Sequence, residues 1–205
     1  MNKLVDKIKR TLKPIFTNRP NRHIVHIVEE DNNRLVNHEY WISRAPAVVG
    51  IIFAFGVEGG PRVLVIKRSE NMPDEPNKYG APSGYLDWDE TAFDGMIREV
   101  YEETSMYLPD YNPFLKFNNY EQPFYVHTDP TTDTKQNVSL TYVMVYDFKS
   151  HQEFFPEDIK EFTDFETAKV EWLKLQDFYN SEYEWAFNHD KRIEMALRYY
   201  NKIGK

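Results

Sequence analysis

Four side chains within six residues pose a chemical question: Arg98, Glu99, Glu102 and Glu103, in the segment GYLDWDETAFDGMIREVYEETSM that runs from Gly84 to Met106. At about 100° per residue of α-helix, the three glutamates fall within an arc of about 100°. Phe93, Met96, Ile97 and Val100 form the apolar face next to them. Like charges at this spacing repel unless something positive joins them. The ridge is therefore either a solvated helix face or a metal site. Three neighbouring carboxylates supply hard oxygen ligands, which suit Mg²⁺, an ion that keeps several waters and commonly also binds substrate phosphates. Arg98 can pin a carboxylate through paired N–H donors and so orient it.

The elements that must position this ridge follow from pattern. "APAVVGIIFAFG" is a nearly continuous apolar run of strand length and predicts a central strand. "EGGP" is a turn and "RVLVIKRS" the returning strand. "HIVHIVEE" and "RLVNHEYWI" flank "DNN" and predict a hairpin. The Pro-rich "ENMPDEPNKYGAPSG" leads into the carboxylate helix. "FLKFNNYEQPFYVH", "NVSLTYVMVYDF" and "VEWLKL" read as further strands, and "SEYEWAFNHDKRIEMALRYYNKI" as a C-terminal helix. The acidic stretch "FPEDIKEFTDFETAK" reads as a loop with short helical turns. The fold class expected is α+β, with helices on the faces of a mixed sheet.

The chain has 205 residues and no cysteine, which excludes disulfides, thiolate catalysis and zinc–cysteine sites. Its net charge is −8, although residues 1–22 hold seven Lys/Arg against one acid, Asp6. An acidic body argues against DNA as a partner. It leaves open a small anionic substrate held through metal ions. Residues 3–16 place Leu4, Ile8, Leu12 and Ile15 on one stripe, an amphipathic helix that either packs on the domain or meets an anionic surface. No apolar run has the length of a membrane span, no secretory h-region follows the start, and no membrane partner is expected. The expected location is cytoplasmic. The organisation expected is a basic extension over 1–22, strands over 23–44 and a main domain over 45–205.

The full spacing is Gly84, five residues, Glu90, seven residues, then Arg98-Glu99-Val100-Tyr101-Glu102-Glu103, one residue, and Ser105-Met106. This resembles the Nudix box, G-x5-E-x7-R-E-U-x-E-E-x-G-U with U bulky and apolar, the signature of the Nudix hydrolase superfamily. Every defining position matches except Ser105, which stands where the family has glycine. "YGAPSG" resembles the family's W-x-L-P-G-G lead-in, with Ser83 for a glycine. Ser105 is expected in a left-handed turn, at a cost of roughly 1 kcal/mol. The resemblance is strongest over about residues 45–176. It implies an α/β/α sandwich around a mixed sheet. It also implies Mg²⁺ or Mn²⁺ bound by Glu99, Glu102 and Glu103, with the Gly84 carbonyl as an extra ligand, and Glu90 and Arg98 bracing loop and helix.

Such enzymes hydrolyse a nucleoside diphosphate linked to another moiety. Their base lies sometimes in the box and often in a later loop. Glu166, six residues before Trp172, is the first candidate, with Glu161 and Glu103 as alternatives. "HTDPTTDTKQNVSLTY" resembles the Asp-Pro loop of ADP-ribose-type members, which puts Asp129 and Pro130 at the border of the substrate pocket. "WAFNHDKRIEMAL" resembles the helix start of the same branch, with His189 as a candidate helix cap. Arg44 is a candidate for a phosphate or the base-binding wall. ADP-ribose or a related nucleotide sugar is the favoured substrate. Nucleoside triphosphates and dinucleoside polyphosphates form the alternative, and a non-catalytic ligand sensor the alternative of another class. The N-terminal strands are a candidate homodimer interface or lid.

Overall fold

A computed structural model describes residues 24–31, 34–41, 44–116, 120–129, 137–157, 159, 165–180 and 182–203. They fall into two units divided after Arg44. In the first, β1 (Ile24–Asp31) and β2 (Arg34–Trp41) form the expected antiparallel pair, in register from Ile24 opposite Trp41 to Asp31 opposite Arg34. The expected helix over 3–16, Pro130 and Glu161 lie outside the described residues.

In the second unit the apolar run becomes β3 (Pro46–Phe55), and its alternation sorts the core into two layers. Val48, Ile52 and Ala54 pack with Met96 and Val100 of α1 (Ala92–Thr104). Val49, Ile51 and Phe53 pack with Ile193 and Ala196 of α2 (His189–Ile203). β4 (Arg62–Arg68) and β8 (Val138–Asp147) sort in the same way, with Leu64 and Met144 on the first side and Val63 and Val143 on the second. Strands that are apolar on both faces must be covered on both, so the result is an α/β/α sandwich. At Gly50 a Cβ would come within 3.0 Å of Val100 Cγ2 and 3.1 Å of Met96 Sδ, so its absence lets α1 lie close on the sheet.

The sheet is mixed. β3 and β8 run parallel, from Pro46 opposite Val138 to Phe55 opposite Asp147, and its other pairs are antiparallel. β3 and β4 pair only at Phe53–Val63 and Ala54–Arg62. Away from that end they part, and the segment from β5 (Tyr79–Gly80) to β6 (Ser83–Tyr85) fills the gap. β5 pairs with β4 and β6 with β3. β9 (Thr167–Lys174) lines β4, and β7 (Tyr125–His127) lines β8. This wedge carries Gly84 into the middle of the unit. No helix among the described residues is long and apolar enough to cross a membrane.

Three expectations need correction. Only Tyr125–His127 of the stretch "FLKFNNYEQPFYVH" is strand, and the chain before it forms a 3-10 helix, Leu108–Phe114. Pro113 and Pro123 cannot donate to a ladder. The last helix starts at His189, well after Ser181, because Phe187 and Asn188 take positive φ of 51° and 56°. The last strand starts at Thr167, because its ladder with β4 continues past an irregularity to Arg68.

α1 is capped at both ends. Thr91 Oγ1 accepts from Asp94 N–H at 3.2 Å. Ser105 leaves the helix at φ 57°, ψ 12°, and its N–H donates to Tyr101 O at 2.7 Å. That left-handed conformation favours glycine. Ser105→Gly should therefore stabilise the fold by about 1 kcal/mol, or raise Tm by roughly 3 °C for a domain of this size. Urea and thermal unfolding check this. A less stable variant would mean that the serine hydroxyl makes a contact of its own.

Candidate active site

Arg98 is the hub of the carboxylate ridge. Its Nε donates to Glu90 Oε2 at 3.0 Å, and its Nη2 to Glu90 Oε1 at 2.6 Å and to Tyr85 O at 3.0 Å. Its Nη1 donates to Glu99 Oε1 and Glu102 Oε2, each at 2.8 Å. All five guanidinium N–H groups are thus used. Glu90 in turn accepts from Asp87 N–H at 2.9 Å, and the Arg98 pair holds its carboxyl below the usual range. Gly95 makes room for it, since a Cβ there would come within 2.7 Å of Glu90 Oε1. Glu90 and Arg98 brace loop against helix, as the box implies.

The other carboxylates are short of positive charge. Glu103 is buried, with Oε2 accepting from Ser83 N–H at 2.9 Å. Burial raises its pKa well above the usual range, and Glu99 and Glu166 push the same way. Burial likewise pushes Glu99 up to about 7 against the pull of Arg98, with Glu102 and Glu166 adding to the rise. The acid placed before β9, Glu166, is therefore close enough to act electrostatically on both. The backbone carbonyl of Glu166 accepts from Ser69 N–H at 2.8 Å, which ties this loop to the end of β4. A Cβ on Gly84 would land in the Glu99 carboxylate, so only glycine lets that side chain lie over β6.

Among the described residues no three His, Asp or Glu side chains converge as ligands, because one oxygen each of Glu99, Glu102 and Glu103 is turned onto Arg98 or Ser83. The second oxygen of each takes no hydrogen bond from a described residue. Hard oxygens, two of them on carboxylates destabilised by burial, fit a divalent cation that would supply the missing charge.

Glu99, Glu102, Glu166 and Gly84 line a cavity of about 490 Å³. The same cavity is lined by two buried cations, Arg68 and Arg192, 9% and 7% exposed, and by the buried neutral imidazole of His189, 3% exposed. Arg68 stacks on Phe187, with Cζ 5.0 Å from the ring centroid. A second cavity of about 720 Å³ shares Phe187 and Arg192 with the first, and is lined also by Asp129, Tyr125 and Trp185. Arg44 is the last residue of the first unit. The His189 ring does not cap α2, since its Nδ1 accepts from Ala81 N–H at 3.0 Å. Sequence reasoning missed Arg68 and Arg192. Arg192 left a signal, because it shares the buried face of α2 with His189, Ile193 and Ala196, where a charge breaks the apolar stripe.

The family model described as NUDIX domain matches residues 44–195. No curated protein matches the chain. Among solved structures, the NUDIX domain of Shewanella oneidensis NrtR complexed with ADP ribose aligns at a TM-score of 0.57 and 17% identity, over 78% of this chain and 90% of that one. Shewanella oneidensis NrtR complexed with a 27mer DNA aligns at 0.56 and 19% identity, over 76% of this chain and 62% of that one, so this chain spans less than two thirds of its length. A bifunctional NMN adenylyltransferase/ADP ribose pyrophosphatase from Francisella tularensis, complexed with AMP and a Mn ion, aligns at 0.54 and 14% identity, over 95% of this chain and 47% of that one. At these identities the likeness is one of fold.

The Glu99 shift gives a pH signature in metal-free protein. A carboxyl raised on folding disfavours the folded state once ionised. The effect is absent below the unfolded pKa of about 4, grows as pH rises, and is complete above about 7. At about 1.4 kcal/mol per unit it amounts to roughly 3 kcal/mol. Glu99→Gln in EDTA should therefore raise Tm by several degrees at pH 8 and change it little at pH 5. Added Mg²⁺ should raise the wild-type Tm more than the variant's. Equal effects of the substitution at both pH values would show that Glu99 is not destabilised by burial.

Proposed function

The chain belongs to the NUDIX domain family, and we propose that it is a pyrophosphohydrolase that cleaves a nucleoside diphosphate linked to a second moiety, ADP-ribose or a related nucleotide sugar, with Mg²⁺ or Mn²⁺. The observation that carries this reading is the meeting of both signs of charge around one cavity: Glu99, Glu102 and Glu166, with Glu99 raised by burial, and the buried cations Arg68 and Arg192. A diphosphate with a divalent cation is complementary to both at once.

A diphosphate bridge resists hydrolysis because its oxygens repel an incoming nucleophile. A divalent cation held by Glu99, Glu102 and Glu103 would supply charge neutralisation and activation of water when bound, while the β3–β6 register turns the Gly84 carbonyl toward Val48. The protein's own part is positioning and proton transfer. Arg98 Nη1 holds one oxygen of Glu99 and one of Glu102 and so fixes both side chains on one helix face. Glu166 takes the proton of the attacking water as the new P–O bond forms and the bridging P–O bond breaks, leaving one phosphate on each product. The upward push of Glu166 on the pKa of Glu99 and Glu103 supports its placement near them. Glu103, already engaged by Ser83 and deeply buried, suits a ligand better than a base.

The two cavities, which share Phe187 and Arg192 in their linings, support a substrate with a bulky group beyond the diphosphate. Asp129 lines the second, whose Tyr125, Trp185 and Phe187 offer ring faces for a nucleobase or sugar. The ADP ribose bound in the NrtR domain and the pyrophosphatase named in the Francisella protein favour the same class. A ligand sensor is the second reading, because one structural relative was solved on DNA. The intact carboxylate set weighs against it.

Release of phosphate-bearing products from ADP-ribose, nucleotide sugars, NADH, dinucleoside polyphosphates and nucleoside triphosphates, with Mg²⁺, tests this. ADP-ribose or a nucleotide sugar should turn over fastest. Glu102→Gln and Glu103→Gln should each lower kcat by about 100-fold or more in folded protein, with weaker Mg²⁺ dependence. Glu166→Gln should lose turnover at saturating Mg²⁺ while metal affinity stays near wild type. No turnover of any compound, with tight binding of one, would favour the sensor.

A further inference from the structure

We propose that His189 contacts the substrate, its Nε2–H donating to a phosphoryl oxygen at a wall made cationic by Arg68 and Arg192. This rests on reading the carboxylate-lined cavity as the diphosphate site. The ring is 3% exposed and lies over Gly80, where a Cβ would come within 2.9 Å of Nδ1. Nδ1 accepts from Ala81 N–H at 3.0 Å and so carries no proton. A neutral imidazole with Nδ1 accepting must be protonated at Nε2. Burial, with Arg192 and Arg68 adding to it, pushes the ring's pKa down to about 3, which keeps it in this neutral form.

Nε2–H makes no hydrogen bond to a described residue, and it is not among the sealed buried polar atoms. The ring lines the same cavity as Glu99 and Glu166. With Nδ1 engaged by Ala81, Nε2–H is the ring's one donor for a ligand acceptor. The surroundings choose the acceptor. Arg68 is fixed in one plane by Phe187 and by Nε and Nη2 donating to Asp74 O at 3.2 and 3.1 Å, and forms no ion pair with a described carboxylate. Arg192 lies along the same wall, with Nη1 3.5 Å from Thr141 Oγ1. Two buried guanidinium groups beside a neutral donor favour an anionic oxygen over a sugar hydroxyl.

Two substitutions separate the ring's nitrogens. His189→Asn keeps an acceptor near Nδ1 and removes the Nε2 donor. His189→Gln places an amide donor near Nε2 and removes the acceptor for Ala81. With ADP-ribose and Mg²⁺, His189→Asn should raise KM roughly tenfold while kcat falls much less, and His189→Gln should recover part of the KM at a lower Tm. A wild-type KM in folded His189→Asn overturns the proposal, since a structural ring would tolerate it. Calorimetric titration of inorganic pyrophosphate in EDTA removes the dependence on turnover. Affinity should fall roughly tenfold in His189→Asn, and unchanged affinity, or no binding by wild type, overturns the proposal. If wild type fails to hydrolyse ADP-ribose, the substrate reading fails, and the pyrophosphate titration still decides the role of His189. If His189→Asn does not fold, Arg192→Gln replaces it there, and pyrophosphate affinity equal to wild type overturns the proposal.

Discussion

The site depends on holding several carboxylates in a place with little water, and one guanidinium makes that possible. Arg98 spends its five N–H donors on three glutamates and a backbone carbonyl, without leaving any donor unmatched. The bidentate pair with Glu90 locks the approach loop to the helix, while Nη1 aims two further carboxylates in one direction. A lysine could not do both, because its ammonium is a point charge with three donors and no planar fork. The arrangement is still under-neutralised, since Glu99 and Glu103 stay raised despite Arg98 and Arg68.

Both signs of charge meet at the cavity. The box helix and the loop before β9 supply Glu99, Glu102 and Glu166, and the end of β4 and the start of α2 supply Arg68 and Arg192. Because Arg68 stacks on Phe187 and donates to a backbone carbonyl, it resists collapsing across the gap onto a glutamate. Arg68 feels Glu103 and Glu166 electrostatically but forms no ion pair with a described carboxylate, which leaves its field for a ligand that carries both signs. An overall acidic protein can accept an anion on these terms.

Much of this was legible in the sequence because it is local or periodic. The spacing from Gly84 to Met106 identified the box, the left-handed turn at Ser105 followed from its place at the helix end, and the apolar run from Ala45 named the central strand. Proline chemistry was underweighted in the stretch before β7, where a strand was expected and a 3-10 helix formed. The grouping of Arg68 and Arg192 with the neutral His189 was not legible as a unit, because they come from β4 and α2 and meet only through the fold. His189 shows the difference: its place at a helix start suggested a cap, yet its partner is the Ala81 amide, 108 positions away.

The wedge between β3 and β4 has a register fixed by polar groups as well as by packing. Pro82 O accepts from Gly50 N–H at 2.9 Å on the β3 side, and the alternate amides, Ala81 and Ser83, turn toward the gap where β4 has left. There one meets the His189 imidazole and the other the Glu103 carboxylate. A slip of one residue would turn both amides into β3 and strip both side chains of their donor together. Two helices on opposite faces of the sheet therefore read the same short peptide and agree on its alignment. The position of the Gly84 carbonyl is in this sense proofread twice, once from each layer of the sandwich.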